Sequence, residues 1–177
     1  FKRNTNYQIS IYEKNNSILL EKGYGVQLSV NSIKLLNEIG FKKFQNNEKF
    51  TPEKINFYTS MNSSKLCDLD ISKFNSENSS YTTLKRSTLI NFLKKDLGKS
   101  IKAEYSISKI DTQAKQINLF FENNEIIECD FLIISDGVFS KSKNLISNNQ
   151  IKPRYNNTLA IRGIITKSVN IINNKNI

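Results

Sequence analysis

Polar and apolar positions along this chain follow two periods, and each predicts a different element. Residues 7–12, YQISIY, are dense in β-branched and aromatic side chains and read as a strand, which stops at the polar string Glu13-Lys14-Asn15-Asn16-Ser17. An acidic residue therefore ends that strand. After a loop and Gly23-Tyr24-Gly25 comes an extended stretch over 26–29, then a helix over 31–39. Asn31 is placed to cap the helix, Ile33, Leu35, Leu36 and Ile39 supply an apolar stripe, and Gly40 suits the position just past its end.

Residues 55–71 contain two alternating runs separated by Met61-Asn62-Ser63-Ser64, the pattern of a hairpin. Residues 81–84 are extended and Arg86 follows them. Ser87 opens a helix to Leu97, with Leu89, Ile90, Leu93 and Leu97 on one face and Gly98 as its stop. Three alternating runs at 103–110, 116–121 and 125–129, with Asp111-Thr112 and Asn123-Asn124 between them, predict an antiparallel meander. The run 129–135 differs, because Phe131-Leu132-Ile133-Ile134 is continuously apolar, as in a parallel strand covered on both faces. It ends in Asp136-Gly137. A short helix over 140–146 and a strand over 158–165 complete the pattern.

Composition narrows the chemistry more by what is missing than by what is present. The 177 residues include no histidine, which closes Ser-His-Asp triads, Cys-His dyads and His-ligated metals. The net charge of +10 rests on 22 Lys and only 4 Arg. These lysines are scattered, whereas nucleic-acid readers cluster charge on one face and lean on Arg, so no nucleic-acid partner is expected. Asn, Ile and Lys make up 71 of the 177 residues, a skew of the kind coding bias produces. Cys67 and Cys129 show no CxxC spacing, which suits a reducing compartment and a cytoplasmic location. No apolar run approaches the roughly 20 residues that cross a bilayer, leaving at most peripheral attachment to a membrane surface.

Four features could carry chemistry. Glu13, at the carboxyl end of a parallel-looking strand, can accept hydrogen bonds from the ribose hydroxyls of a dinucleotide. Asp136-Gly137 follows the apolar strand, where glycine permits positive φ and aspartate can bond nearby amides or a ligand hydroxyl. Arg86 stands at a helix N-terminus, a place that favours pyrophosphate. Gly23-Tyr24-Gly25 lets backbone approach a planar ligand. Asp68 and Asp70 share a hairpin face without the further ligands a metal needs, and Ser135 has no base to activate it.

Taken in order, these segments resemble the class A FAD-dependent monooxygenases, the aromatic hydroxylases that include salicylate hydroxylase-like and ubiquinone-biosynthesis enzymes. YQISIYEK is similar to the family's second strand with its ribose-binding Glu, and GYGVQLSVNSIKLLNEIGF to its GxGIxLxPNxxxxLxxLG segment. LKRSTLINFL resembles its Arg-plus-helix segment, CDFLIISDGVFSKSKNLI its ADLVIGADGxxSxVRxxL signature, and TLAIRGII the strand that begins its substrate domain. Val30 stands where many members have Pro, and Lys143 where Arg is common.

The resemblance implies an α/β fold: a Rossmann-like FAD/NAD(P)-binding domain of glutathione-reductase type over 1–154, carrying the antiparallel meander, and the start of a substrate-domain sheet over 155–177. Hairpin 55–71 would belong to the substrate side. It also implies an interior piece of such an enzyme, whose first glycine-rich turn and later Gly-Asp fingerprint lie outside these residues. FAD and NAD(P)H would be the cofactors, with molecular oxygen and an aromatic substrate, a ubiquinone precursor first among them. Glu13 would bind the adenosine ribose, Lys14 lie beside the adenine, Arg86 face the FAD phosphates or ribityl chain, and Asp136 and Gly137 support FAD. Tyr24, Gly25 and Val26 would approach the isoalloxazine. No residue is assigned a catalytic role and no metal is expected. The alternative is an oxidoreductase of the same superfamily without hydroxylase activity, akin to geranylgeranyl reductases.

Overall fold

A computed structural model of the chain describes residues 6–16, 24–44, 49–147 and 150–162. In chain order these form β1 (Ile11–Glu13), β2 (Gly25–Leu28), α1 (Val30–Glu38), β3 (Lys54–Tyr58), β4 (Lys65–Asp70), β5 (Thr82–Lys85) and α2 (Arg86–Lys94). They continue with β6 (Ile101–Ala103), β7 (Ile107–Asp111), β8 (Ile117–Phe121), β9 (Ile126–Cys129) and α3 (Ser142–Ser147). The chain divides into two units, one within Phe1–Leu19 and Leu97–Ala160, the other within Leu20–Asp96 and Ile161–Ile177.

In the first unit β1 runs parallel to β6, with Ile11 opposite Ile101 and Glu13 opposite Ala103. The meander forms as the alternation predicts, in the order β7-β8-β9, all antiparallel. Its second turn is made by asparagine chemistry: Asn124 takes φ +68, and the Asn123 side chain accepts the Glu125 N–H at 3.1 Å. Leu119, Phe121 and Ile110 are buried, and Tyr12, Tyr105, Leu132, Ile134 and Leu145 pack around them. The rings of Tyr12, Tyr105 and Phe121 lie 5.0–5.1 Å apart, within the range of favourable aromatic pairing. Leu119 is 1 % exposed at the centre of this cluster. Leu119→Ala is therefore expected to cost about 2–5 kcal/mol, read as a lower urea midpoint with an unchanged slope.

The run 129–135 departs from expectation. Beyond Cys129 it is extended but enters no ladder among the described residues. Leu132 and Ile134 pack on the meander while Phe131 and Ile133 are 83 % and 70 % exposed. An extended chain turns alternate side chains to opposite faces, so one covering layer buries only every second residue. The apolar run is covered on one face here, not two.

The second unit is built on β2 and β5, antiparallel, with Val26 opposite Leu84 and Leu28 opposite Thr82. Phe50 adds a bridge to Thr83, the two exchanging backbone hydrogen bonds of 2.8 and 2.7 Å. Ile33, Phe41 and Leu84 are the buried core, joined by Val26, Leu28, Leu36, Phe44, Leu89 and Phe92. Helix α1 begins earlier than predicted: Ser29 occupies the cap position, Val30 is the first helical residue, and Asn31 lies inside the helix. Leu35 is exposed, because it lies about 200° around the helix from Ile33, whereas Leu36 returns to the core side. Gly40 closes α1 with φ +95, its N–H donating to the Asn37 carbonyl at 3.0 Å. The Lys49 ammonium sits over the Phe41 ring and donates to the carbonyls of Phe41 and Phe44, and burial lowers its pKa.

In α2 the inward residues are Leu89 and Phe92, while Leu93 is exposed. The predicted hairpin is β3 with β4, and it has one polar and one apolar face. Lys54 pairs opposite Asp70 and Asn56 opposite Asp68 on the first, Ile55 opposite Leu69 and Phe57 opposite Cys67 on the second. Of the predicted strand 158–165, residues 158–162 carry no strand and the remainder lies outside the described residues.

Candidate functional site

The predicted site residues divide between the units. Glu13, Lys14, Asp136 and Gly137 belong to the first; Tyr24, Gly25, Val26 and Arg86 belong to the second, and Gly23 lies outside the described residues.

Glu13 ends β1, as the sequence suggests, and its backbone is held from the stretch just after β6: its carbonyl accepts the Tyr105 N–H at 3.0 Å. Its carboxylate is held as well. Asn15 donates to Oε1 twice, from its backbone N–H at 2.9 Å and from Nδ2 at 2.6 Å. Lys14, between them, is exposed.

Asp136 and Gly137 form the turn that starts α3. Gly137 takes φ +87, and a Cβ added there would touch nothing within 4 Å, so conformation and not crowding is the reason for glycine. The Asp136 carboxylate accepts the Ser142 N–H at 3.1 Å. Desolvation pushes this carboxyl up, but hydrogen bonds from the Ser140 hydroxyl and from Ser142 outweigh it and leave the group below the ordinary carboxylate range. Asp136 thus fixes its own turn. Lys143 reaches back to the Val138 carbonyl at 3.3 Å and closes the same loop.

In the second unit the antiparallel register does what sequence spacing could not. It sets Gly25 opposite Lys85, and the Arg86 N–H donates to the Tyr24 carbonyl at 3.1 Å. Two segments about sixty residues apart in the chain, singled out for separate reasons, are neighbours. Tyr24 is exposed, and so is Arg86, the first residue of α2. Val26 packs on the Leu84 cluster, so its side chain is a core group and only its backbone can face a ligand. A Cβ on Gly25 would meet Leu84 O and Thr83 Cγ2 at 3.9 Å, ordinary contact. Packing within the unit does not demand glycine there. Beside it, Thr83 Oγ1 is buried with no hydrogen-bond partner among the described residues.

Sequence reasoning missed Asn15, Tyr105 and Thr83. The first had a signal, an amide two residues after the acid, while the others depend on pairings between distant strands. A separate cleft of about 540 Å³ in the second unit is lined by Lys49, Phe50, Thr51, Glu53, Ser72 and Asn75, none of them a predicted site residue. Among the described residues no group of three or more Cys, Asp or Glu is placed to hold a metal, and no helix is long and apolar enough to cross a membrane.

No protein-family model matches the chain, and no curated protein does. Solved structures do. The chain is similar to 2,6-dihydroxypyridine-3-hydroxylase from Arthrobacter nicotinovorans, at 13 % identity and TM-score 0.69, over 87 % of this chain and 36 % of that one. It is similar to Klebsiella pneumoniae HpxO complexed with FAD and uric acid, at 15 % identity and TM-score 0.61, over 76 % and 34 %. It is also similar to CtdE in complex with FAD and a substrate, at 15 % identity and TM-score 0.67, over 82 % and 35 %. At these identities the likeness is one of fold. The chain spans about a third of the length of each structure.

Proposed function

We propose that this chain is part of an FAD-dependent monooxygenase that uses NAD(P)H and molecular oxygen to hydroxylate an aromatic small molecule, a ubiquinone precursor being the first candidate. The observation that carries the reading is the neighbourhood of Arg86 with Tyr24 and Gly25, in a fold shared with a hydroxylase and with two proteins solved with FAD. The α/β class expected from sequence, present as small sheets with helices, supports it; so does the meander. The structures described offer nothing in favour of the reductase-like alternative.

The chain's own groups suit the cofactor by the chemistry of their donors and acceptors. Glu13 supplies a carboxylate at a strand end for ribose hydroxyls, with Lys14 beside the adenine. Arg86 supplies a guanidinium whose planar fork matches phosphate oxygens. Gly25 leaves an open backbone that a side chain would partly cover, and Thr83 Oγ1 an unmatched polar atom beside it. Gly137 and Asp136 hold a tight turn whose backbone is free of bulk. When bound, FAD supplies the redox chemistry, taking reducing equivalents from NAD(P)H and activating oxygen toward an electron-rich ring. The protein's part is to supply these groups to the cofactor.

The test is made on the longer protein that contains this chain. Purified with FAD, it should show flavin absorbance that NAD(P)H bleaches and air restores, and it should place labelled oxygen from O₂ in a phenolic product. A flavin that is reduced but leaves every phenol tested unlabelled would overturn the monooxygenase reading.

A further inference from the structure

The two donors on Glu13 both fall on one oxygen, Oε1, and among the described residues Oε2 receives none. We infer that Asn15 is a positioning residue for Glu13, holding one carboxylate oxygen so that the other is presented to the ribose hydroxyls of an adenosine group. The inference rests on the flavin reading above.

Three observations support it. First, both residues are fixed by the same short stretch after β6. Tyr105 N–H donates to the Glu13 carbonyl at 3.0 Å, and Glu104 N–H donates to the Asn15 carbonyl at 3.1 Å. Glu104 makes its bond with φ +65, a conformation L residues other than Asn, Asp and Gly seldom adopt, so the turn is strongly imposed. Second, the frame beneath is packed, the Tyr105 ring lying against Tyr12 at 5.1 Å and against Phe121 at 5.0 Å.

Third, the chain contains the same clamp in a plainly structural setting. Ser72 donates to Asp70 Oδ1 from its N–H at 3.1 Å and its hydroxyl at 2.5 Å, again two residues on. There the other oxygen, Oδ2, faces the Lys73 ammonium at 3.8 Å, an ion pair longer than a hydrogen bond. At Glu13 the corresponding oxygen has no described partner. A carboxylate held by one oxygen keeps the acceptor sites of the other available to a ligand hydroxyl.

The amide also sets what happens when it is removed. Asn15→Ala keeps the backbone donor and deletes Nδ2, so the carboxylate regains rotamers that do not face the ribose. Asn15→Ser restores a donor of the kind Ser72 already provides, and Asn15→Asp puts a second carboxylate against the first.

The experiment titrates the longer protein, stripped of flavin, with FAD, ADP and FMN, and follows thermal unfolding of the apoprotein in parallel. Asn15→Ala should weaken FAD and ADP by the same factor, roughly 10-fold. FMN, which lacks the adenosine, and the unfolding midpoint should not change. Asn15→Ser should recover most of the affinity and Asn15→Asp should bind FAD least. Full affinity in Asn15→Ala, with Glu13→Ala weakened, would overturn the positioning role alone. Unchanged affinity in Glu13→Ala would remove the ribose assignment and the inference with it. Equal losses for FMN and FAD, tracking a lower midpoint, would reduce Asn15 to a loop-stabilising residue and overturn the proposal.

Discussion

Expressed on its own, the 177-residue chain is expected to purify with far less than one FAD per molecule and to aggregate as its concentration rises. The reason is visible in the first unit. The extended run after Cys129 has no ladder partner among the described residues, and Phe131 and Ile133 face outward at 83 % and 70 % exposure. Unpaired strand edges flanked by apolar side chains are templates for association. The chain also spans about a third of the length of the FAD-containing structures it is similar to, and one guanidinium at Arg86 is a weaker hold on a pyrophosphate than several aligned backbone N–H groups. Expression of the chain alone and within the longer protein proposed above, followed by flavin absorbance and light scattering, checks this. A monodisperse, yellow preparation of the chain alone would refute it.

Arg86→Lys in the longer protein is expected to weaken FAD by about 1.5–3 kcal/mol, roughly 10- to 150-fold. The backbone bond from residue 86 to the Tyr24 carbonyl and the start of α2 depend on main chain only, and lysine is as good a helix former as arginine. What changes is the planar fork, which a compact, strongly hydrated ammonium cannot reproduce at a phosphate. Titration of the apoprotein with FAD, read by flavin fluorescence quenching and set beside the circular dichroism of the variant, measures the loss. Equal affinity with intact structure would make Arg86 a surface charge.

How far each feature could be read in advance follows from the range over which it is decided. Helices α1 and α2, hairpin β3–β4 and the meander were all legible, because their signals lie within one element or between neighbours joined by a short turn. Alternation sets a strand, a 3.6-residue stripe sets a helix, and Gly40 and Asn123-Asn124 set the stops. The errors are local in the same sense. Asn31 and Ser29 are both good caps two residues apart, and Leu35 fits an apolar stripe until the partner surface shows which side is inward.

The sequence by itself determined the helices α1 and α2, the hairpin and the meander, the absence of histidine chemistry, and the placement of Glu13 at the end of a strand and of Arg86 at the start of a helix. The tertiary structure decided the rest. It paired β1 with β6 across the intervening segment Leu20–Asp96 of the second unit, and it brought Arg86 to Tyr24 through the β2–β5 register. It turned half of an apolar run outward and clamped one oxygen of Glu13. Each of these depends on which of several comparable strand pairings wins. That contest is settled by the burial and hydrogen bonding of the assembled unit against the entropy of closing long loops, terms to which no short window of sequence has access.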